Sequence, residues 1–315
     1  MYKHFLTSVL LVFFMLSCSK PSPFEGKMRE SVQTSLSWRN DTTGIWETAG
    51  WWNSANVLTA TIRYGAVTKD PAIPSVIEDV FEKARHYQVG VDSTGTPRYC
   101  DNFINDYYDD EGWWVLAWIE ASKLTGEKKY LDMAEIIFDD MTTGWSDACG
   151  GGIFWKKNPL HYKNSIANNL FSLTAIRLYK ATQNPAYLDW FKKNVDWYTQ
   201  TGMINTDIYQ IEDGTKDDCT PNRNAHYTYN QGVAIAVLAE MYLQTNDKSY
   251  LELAEKIADA TITTQLVTDE GILREMKPEI DDSNDGVQFK GIFIRHLAFL
   301  YEVTKNPAYK DFILK

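Results

Sequence analysis

The chain has 315 residues, with 31 Lys and Arg against 42 Asp and Glu and a formal charge of −11. Such a surface repels phosphate backbones, which argues against nucleic acid as a partner. Apolar residues at 44% of the sequence are enough to build one large core.

Residues 1–17 read as a targeting segment. Lys3 and His4 give a basic start, and Phe5–Leu16 is an apolar run too short for a comfortable transmembrane helix. Ser17-Cys18 resembles a bacterial lipoprotein cleavage site. The expectation is a signal peptide at 1–17, a lipidated Cys18, a tether at 18–23 and one domain over 24–315, anchored at the bacterial cell envelope. Ordinary secretion is the alternative. Cys100, Cys149 and Cys219 are odd in number and widely spaced, so an exported protein has room for one bridge whose pairing stays open. His4, His86, His161, His226 and His296 form no zinc-ligand spacing, and neither a metal nor an organic cofactor is expected.

The mature region repeats. VTKDPAI (67–73), LTGEKKY (124–130), ATQNPAY (181–187), QTNDKSY (244–250) and VTKNPAY (303–309) recur about every sixty residues, the length of a helical hairpin with its loops. Taken in order, Phe24–Trp38 reads as an outer helix, Trp51–Val67 as the first inner helix and Ser75–Tyr87 as its outer partner. Gly112–Leu124 with Tyr130–Met141, Asn168–Ala181 with Ala186–Tyr198, and Gly232–Gln244 with Tyr250–Thr261 follow. Phe289–Val303 is the fifth inner helix. Inner segments are apolar nearly all round, as buried helices are, whereas outer ones carry charge on one face. Little of the chain alternates with period two. The prediction is an all-α fold, an (α/α)6 barrel of inner and outer helices. The pattern stops mid-repeat at Lys315, so a twelfth helix is missing and the barrel is expected to close differently or be incomplete there.

Inner-to-outer turns are tight, but outer-to-inner connections are long: 88–106, 142–162, 200–225 and 266–288. Loops of that length build binding faces. The stretch NDYYDDEGWWVLAW (105–118) centres the reading, because Asp109 and Asp110 stand among four rings where neither a solvated loop nor a plain core would place them. Helix capping is the plainer explanation. At a first helical turn the two carboxyls lie about 5–6 Å apart, near the separation of a retaining glycosidase pair. Tyr108, Trp51, Trp52, Trp113, Trp114 and Trp155 offer faces for sugar C–H groups, though each such ring is more often core. GGGIFWKK (150–157) lacks the context of a phosphate loop. In YNQG (229–232), Asn230 and Gln231 sit at an inner-helix start, and FKGIFIRH (289–296) brings Lys290 and Arg295 near the interior. DDSNDG (281–286) lacks the spaced ligands of a calcium loop.

Together, YYDDEGWW (107–114), GGIFWKK (151–157), Lys163 with Asn168, Asp213-Gly214, YTYNQG (227–232) and FKGIFIR (289–295) resemble glycoside hydrolase family 76, the endo-α-1,6-mannanases. The resemblance implies an (α/α)6 barrel, α-mannan as substrate and retaining hydrolysis, with Asp109 as nucleophile, Asp110 as acid/base and Asp213 contacting the sugar. A monomer is expected. The alternatives are a mannan-directed transglycosylase and a non-catalytic surface glycan-binding protein on the same scaffold. Sugar epimerases use histidines for proton transfer, and the histidines here are sparse.

Overall fold

A computed structural model describes residues 23–157, 162–223, 225–277 and 285–315. The expected signal peptide, Cys18 and most of the tether lie outside these residues, as does most of DDSNDG. No helix among the described residues is long and apolar enough to cross a membrane.

Eleven α-helices are described, in the order the repeat predicts. They are α1 (Pro23–Ser37), α2 (Trp51–Thr68), α3 (Ile73–Ala84), α4 (Tyr108–Thr125), α5 (Lys128–Thr142), α6 (Ser165–Thr182), α7 (Pro185–Tyr198), α8 (Thr228–Thr245), α9 (Lys248–Thr263), α10 (Gly286–Thr304) and α11 (Pro307–Ile313). Helices α2, α4, α6, α8 and α10 pack side by side in sequence as the inner wall, and α3, α5, α7, α9 and α11 each follow their inner partner on the outside. This is the predicted α/α barrel. Helices α2 and α10, first and last of the wall, face each other across a groove with residues of both on its sides.

The repeat has a local physical cause. The second residue of each heptapeptide is a threonine at the last turn of an inner helix. Its hydroxyl donates to the carbonyl four residues back: Thr68 to Tyr64, Thr125 to Ala121, Thr182 to Leu178, Thr245 to Met241 and Thr304 to Leu300. The next residue adopts the left-handed conformation and closes the helix with its own N–H. Asn184, Asp247 and Asn306 then accept an N–H from the outer helix they start. The seventh-place tyrosines tie outer helices together: Tyr130 donates to Glu78 at 2.7 Å and Tyr187 to Glu135 at 2.8 Å.

The inner wall is close-packed. A Cβ on Gly232 of α8 would stand 2.6 Å from the Phe293 Cα of α10, so only glycine permits that approach. The long loops carry two small antiparallel ribbons, β1 (Gln88–Val91) with β2 (Pro97–Tyr99) and β3 (Ile204–Asn205) with β4 (Gln210–Ile211). These are the only named strands described, and the all-α class stands. The pairing left open by the sequence is Cys149 with Cys219, which clips the loop before α6 to the loop before α8; Cys100 is buried and free.

Candidate active site

Inner helices begin at one end of the barrel, and the long loops rise around those N-termini. There they enclose a cleft of about 550 Å³. Helix α4 starts at Tyr108, four residues before the sequence pattern placed it, and so takes Asp109 and Asp110 into its first turn. Both line the cleft, with Asp213 and Asp285 among the other lining groups.

Each carboxylate is held from a different side. Asp109 Oδ2 accepts from Trp155 Nε1 at 2.9 Å, and Oδ1 accepts the Asp110 N–H at 3.1 Å. Asp110 Oδ2 accepts from Asn105 Nδ2 at 2.6 Å. Asp213 is fixed by the Tyr162 hydroxyl and by Asn230 Nδ2 at 3.2 Å. Burial raises all three above the usual carboxylate range. For Asp109 the Trp155 bond opposes burial. For Asp110 the charge of Asp109 adds to burial and Asn105 opposes it. Two neighbouring acids that cannot both ionise cheaply leave a proton on one of them, and Asp109, which accepts two N–H groups where Asp110 accepts one, is the better placed to stay ionised.

The walls are rings. Trp52 stacks on Trp113 with centroids 5.9 Å apart, and its indole N–H donates to Asp285 at 3.0 Å. Tyr229 and Phe289 stack at 3.8 Å, and Tyr107 meets Trp155 at 5.1 Å. This is a hollow lined by aromatic faces and carboxylates, a surface suited to a neutral sugar chain. No group of three or more metal-ligating side chains is found among the described residues.

Of the predicted site residues, Asp109, Asp110, Trp52, Trp113, Trp155 and Asp213 line the cleft. Asn230 reaches it through its bond to Asp213. The remaining eight are placed elsewhere. Trp51 and Trp114 face the core, where Trp51 stacks on Tyr87 and Trp114 on Trp118; they are corrected from sugar platforms to packing. Tyr108 packs against Gly144 and bonds Thr143, leaving the cleft to Tyr107. Lys163 is fully buried and donates to the carbonyls of Ser146, Ala148 and Gly151, so it holds a loop and not a sugar. Asn168 bonds both the N–H and the carbonyl of Ile153, at 2.8 and 3.0 Å. Gln231 does the same to Ile211, at 2.8 and 3.1 Å. Arg295 donates to Asn56 and lies over the Trp113 ring, behind the cleft wall, and Lys290 of α10 is half-buried outside the lining.

Tyr107, Tyr162, Asn164, Tyr227, Tyr229, Asp285 and Phe289 line the cleft without having been singled out. Tyr107, Tyr227, Tyr229 and Phe289 stand inside motifs already quoted, one to three positions from the residue chosen. A pattern without helical phase does not say which neighbour turns inward.

Residues 25–315 match the family model described as Glycosyl hydrolase family 76. A mannan endo-1,6-α-mannosidase of Saccharomyces cerevisiae is 28% identical over 239 residues, covering 70% of this chain and 52% of its own. The chain thus spans about half the length of this curated relative. Among solved structures, a Listeria innocua protein is 28% identical with a TM-score of 0.78, over 92% of this chain and 83% of its own. The GH76A α-1,6-mannanase of Salegentibacter sp. is 25% identical with a TM-score of 0.78, over 92% of this chain and 86% of its own.

Proposed function

The chain belongs to glycosyl hydrolase family 76, and from that premise we propose that it is an endo-acting, retaining α-1,6-mannanase. Asp109 is the nucleophile and Asp110 the acid/base. The observation that carries this reading is the pair of consecutive half-buried carboxylates in one ring-walled cleft, the first accepting two N–H groups and the second one.

In the proposed reaction the mannan backbone lies along the cleft on Trp52, backed by Trp113, and on Trp155. Asp110 protonates the glycosidic oxygen while Asp109 attacks the anomeric carbon, which forms a glycosyl ester and releases the leaving chain. With its proton gone, Asp110 accepts one from water as that water attacks the same carbon and frees Asp109. Asp213, aimed by Tyr162 and Asn230, bonds hydroxyls of the reacting sugar. The N-terminal segment supplies a lipid anchor at Cys18, which keeps the enzyme at the envelope.

Unbranched α-1,6-mannan as substrate tests the reading. Chain shortening with the anomeric configuration kept is expected. Asp109→Asn and Asp110→Asn each lower turnover by about 10³-fold or more, with circular dichroism and melting unchanged. Ordinary turnover by either variant removes the assignment, and inversion at the anomeric carbon removes the double displacement.

A further inference from the structure

The far end of the barrel holds an unbalanced charge. Arg63 of α2, Arg177 of α6 and Arg295 of α10 line one cavity of about 420 Å³, together with His296. Arg63 comes eleven residues after the cleft residue Trp52 on α2, about 16 Å further along the helix axis. The cavity is therefore separate from the proposed catalytic centre.

Among the described residues, cations outnumber anions around the cavity. Glu120 pairs with Arg177, Nη1 to Oε1 at 3.4 Å, and is shared with Lys123. Arg295 has the neutral partner Asn56, at 2.9 Å. Arg63 makes no side-chain hydrogen bond to any described residue, and its charge neighbours are Arg177 and Glu120. His296 is 2% exposed, and its Nε2 has no hydrogen-bond partner among the described residues. At the rim, Glu302 is engaged by Lys305, and Lys310 adds a further cation. Burial and the two other guanidiniums push Arg295 down to about 9, the mark of like charges confined together. Buried charge is costly unless it is paired.

We propose that this cavity is an oxyanion-binding site, in which Arg63, Arg177 and Arg295 grip a phosphate- or carboxylate-type group and His296 Nε2 donates to it. Guanidinium forks match the paired oxygens of such groups, and three of them converge on a space larger than the group itself. The oxyanion is taken either free or as the charged end of a larger molecule.

Thermal melts of the full chain at constant ionic strength test this, with chloride replaced stepwise by inorganic phosphate, acetate or glycerol 1-phosphate. Saturable stabilisation by at least one of the three is expected, on the order of 3–6 °C at a hundredfold excess over Kd. Glycerol 1-phosphate binding tenfold tighter than phosphate points to a carried group, and equal affinity to a free ion. Arg63→Met melts at or above the parent temperature in chloride, because a repulsion is relieved, and loses the oxyanion response. Arg63→Lys keeps the charge without the fork and weakens binding at least tenfold in calorimetry. No response beyond chloride overturns the proposal. So does an Arg63→Met protein that melts lower in chloride yet responds like the parent, since that guanidinium would then serve the helix C-termini.

Discussion

Asp110 sits between opposing influences at its two sides. Burial and the charge of Asp109 favour its protonated form, whereas the Asn105 amide donates to Oδ2 and favours the ionised one. In the proposed reaction Asp109 must be ionised, so activity falls as pH drops through its raised pKa. Asp110 must hold a proton, so activity falls as pH climbs through its own. Both limbs of the kcat/KM profile are therefore expected above where free carboxylates would put them. Asn105→Ala removes a bond to the ionised form, which raises the Asp110 pKa and moves the basic limb to higher pH. A pH–rate profile of that variant checks the sign, and an unmoved or lowered basic limb would show that Asp110 is not the group titrating there.

Among the elements, the inner helices do two jobs with one surface. Their buried faces make the barrel, and near their N-termini a side-chain amide reaches out to grip the preceding loop. Asn168 of α6 and Gln231 of α8 each hold one loop residue by both its N–H and its carbonyl, as a neighbouring strand would. The loop held by Asn168 delivers Trp155 to Asp109, and the loop held by Gln231 delivers Asp213. Asn168→Leu leaves the Ile153 backbone groups buried and unpaired. It is expected to cost about 2–4 kcal/mol in denaturant unfolding. It should also raise KM more than it lowers kcat, because the substrate loses a Trp155 face held in place. Equal stability and kinetics in the variant would mean that the loop holds itself.

Over the whole molecule, the long loops form one rim and not independent flaps. Cys149–Cys219 joins residues 70 apart in sequence and spans two of them. In the chain-entropy view, closing a loop of that length stabilises the fold by roughly 4 kcal/mol. Cys149→Ser combined with Cys219→Ser should lower the unfolding free energy toward that amount. It should also leave Cys100 as the sole thiol of residues 23–315, seen by titration only after unfolding because it is buried. A variant as stable as the parent would place the loops' order elsewhere, for instance in Lys163 and its three carbonyls.

The order and pairing of the helices were legible from the chain alone. Each heptapeptide carries its own stop and turn, a threonine bonding backwards and then a left-handed residue, and three of the five add a capping side chain that starts the next helix. Those interactions span a few residues and need no distant partner. The two acids were legible for a related reason, since charges set among rings make little sense outside a pocket. What the tertiary structure decided was facing. Trp113 and Trp114 are sequence neighbours with opposite fates, because a helix turns each residue about 100° from the last and only packing fixes the phase; Tyr107 and Tyr108 part because Tyr107 is extended and the helix begins at Tyr108. The polar groups of the quoted motifs divided likewise: Lys163, Asn168 and Gln231 found backbone to hold, while Asp213 and Asn230 found each other at the cleft. Cysteine pairing and the gathering of three arginines from three helices depend on contacts between residues far apart in the chain. Local sequence sets where each helix begins and ends, but which side chains meet across the barrel follows only from how the helices pack.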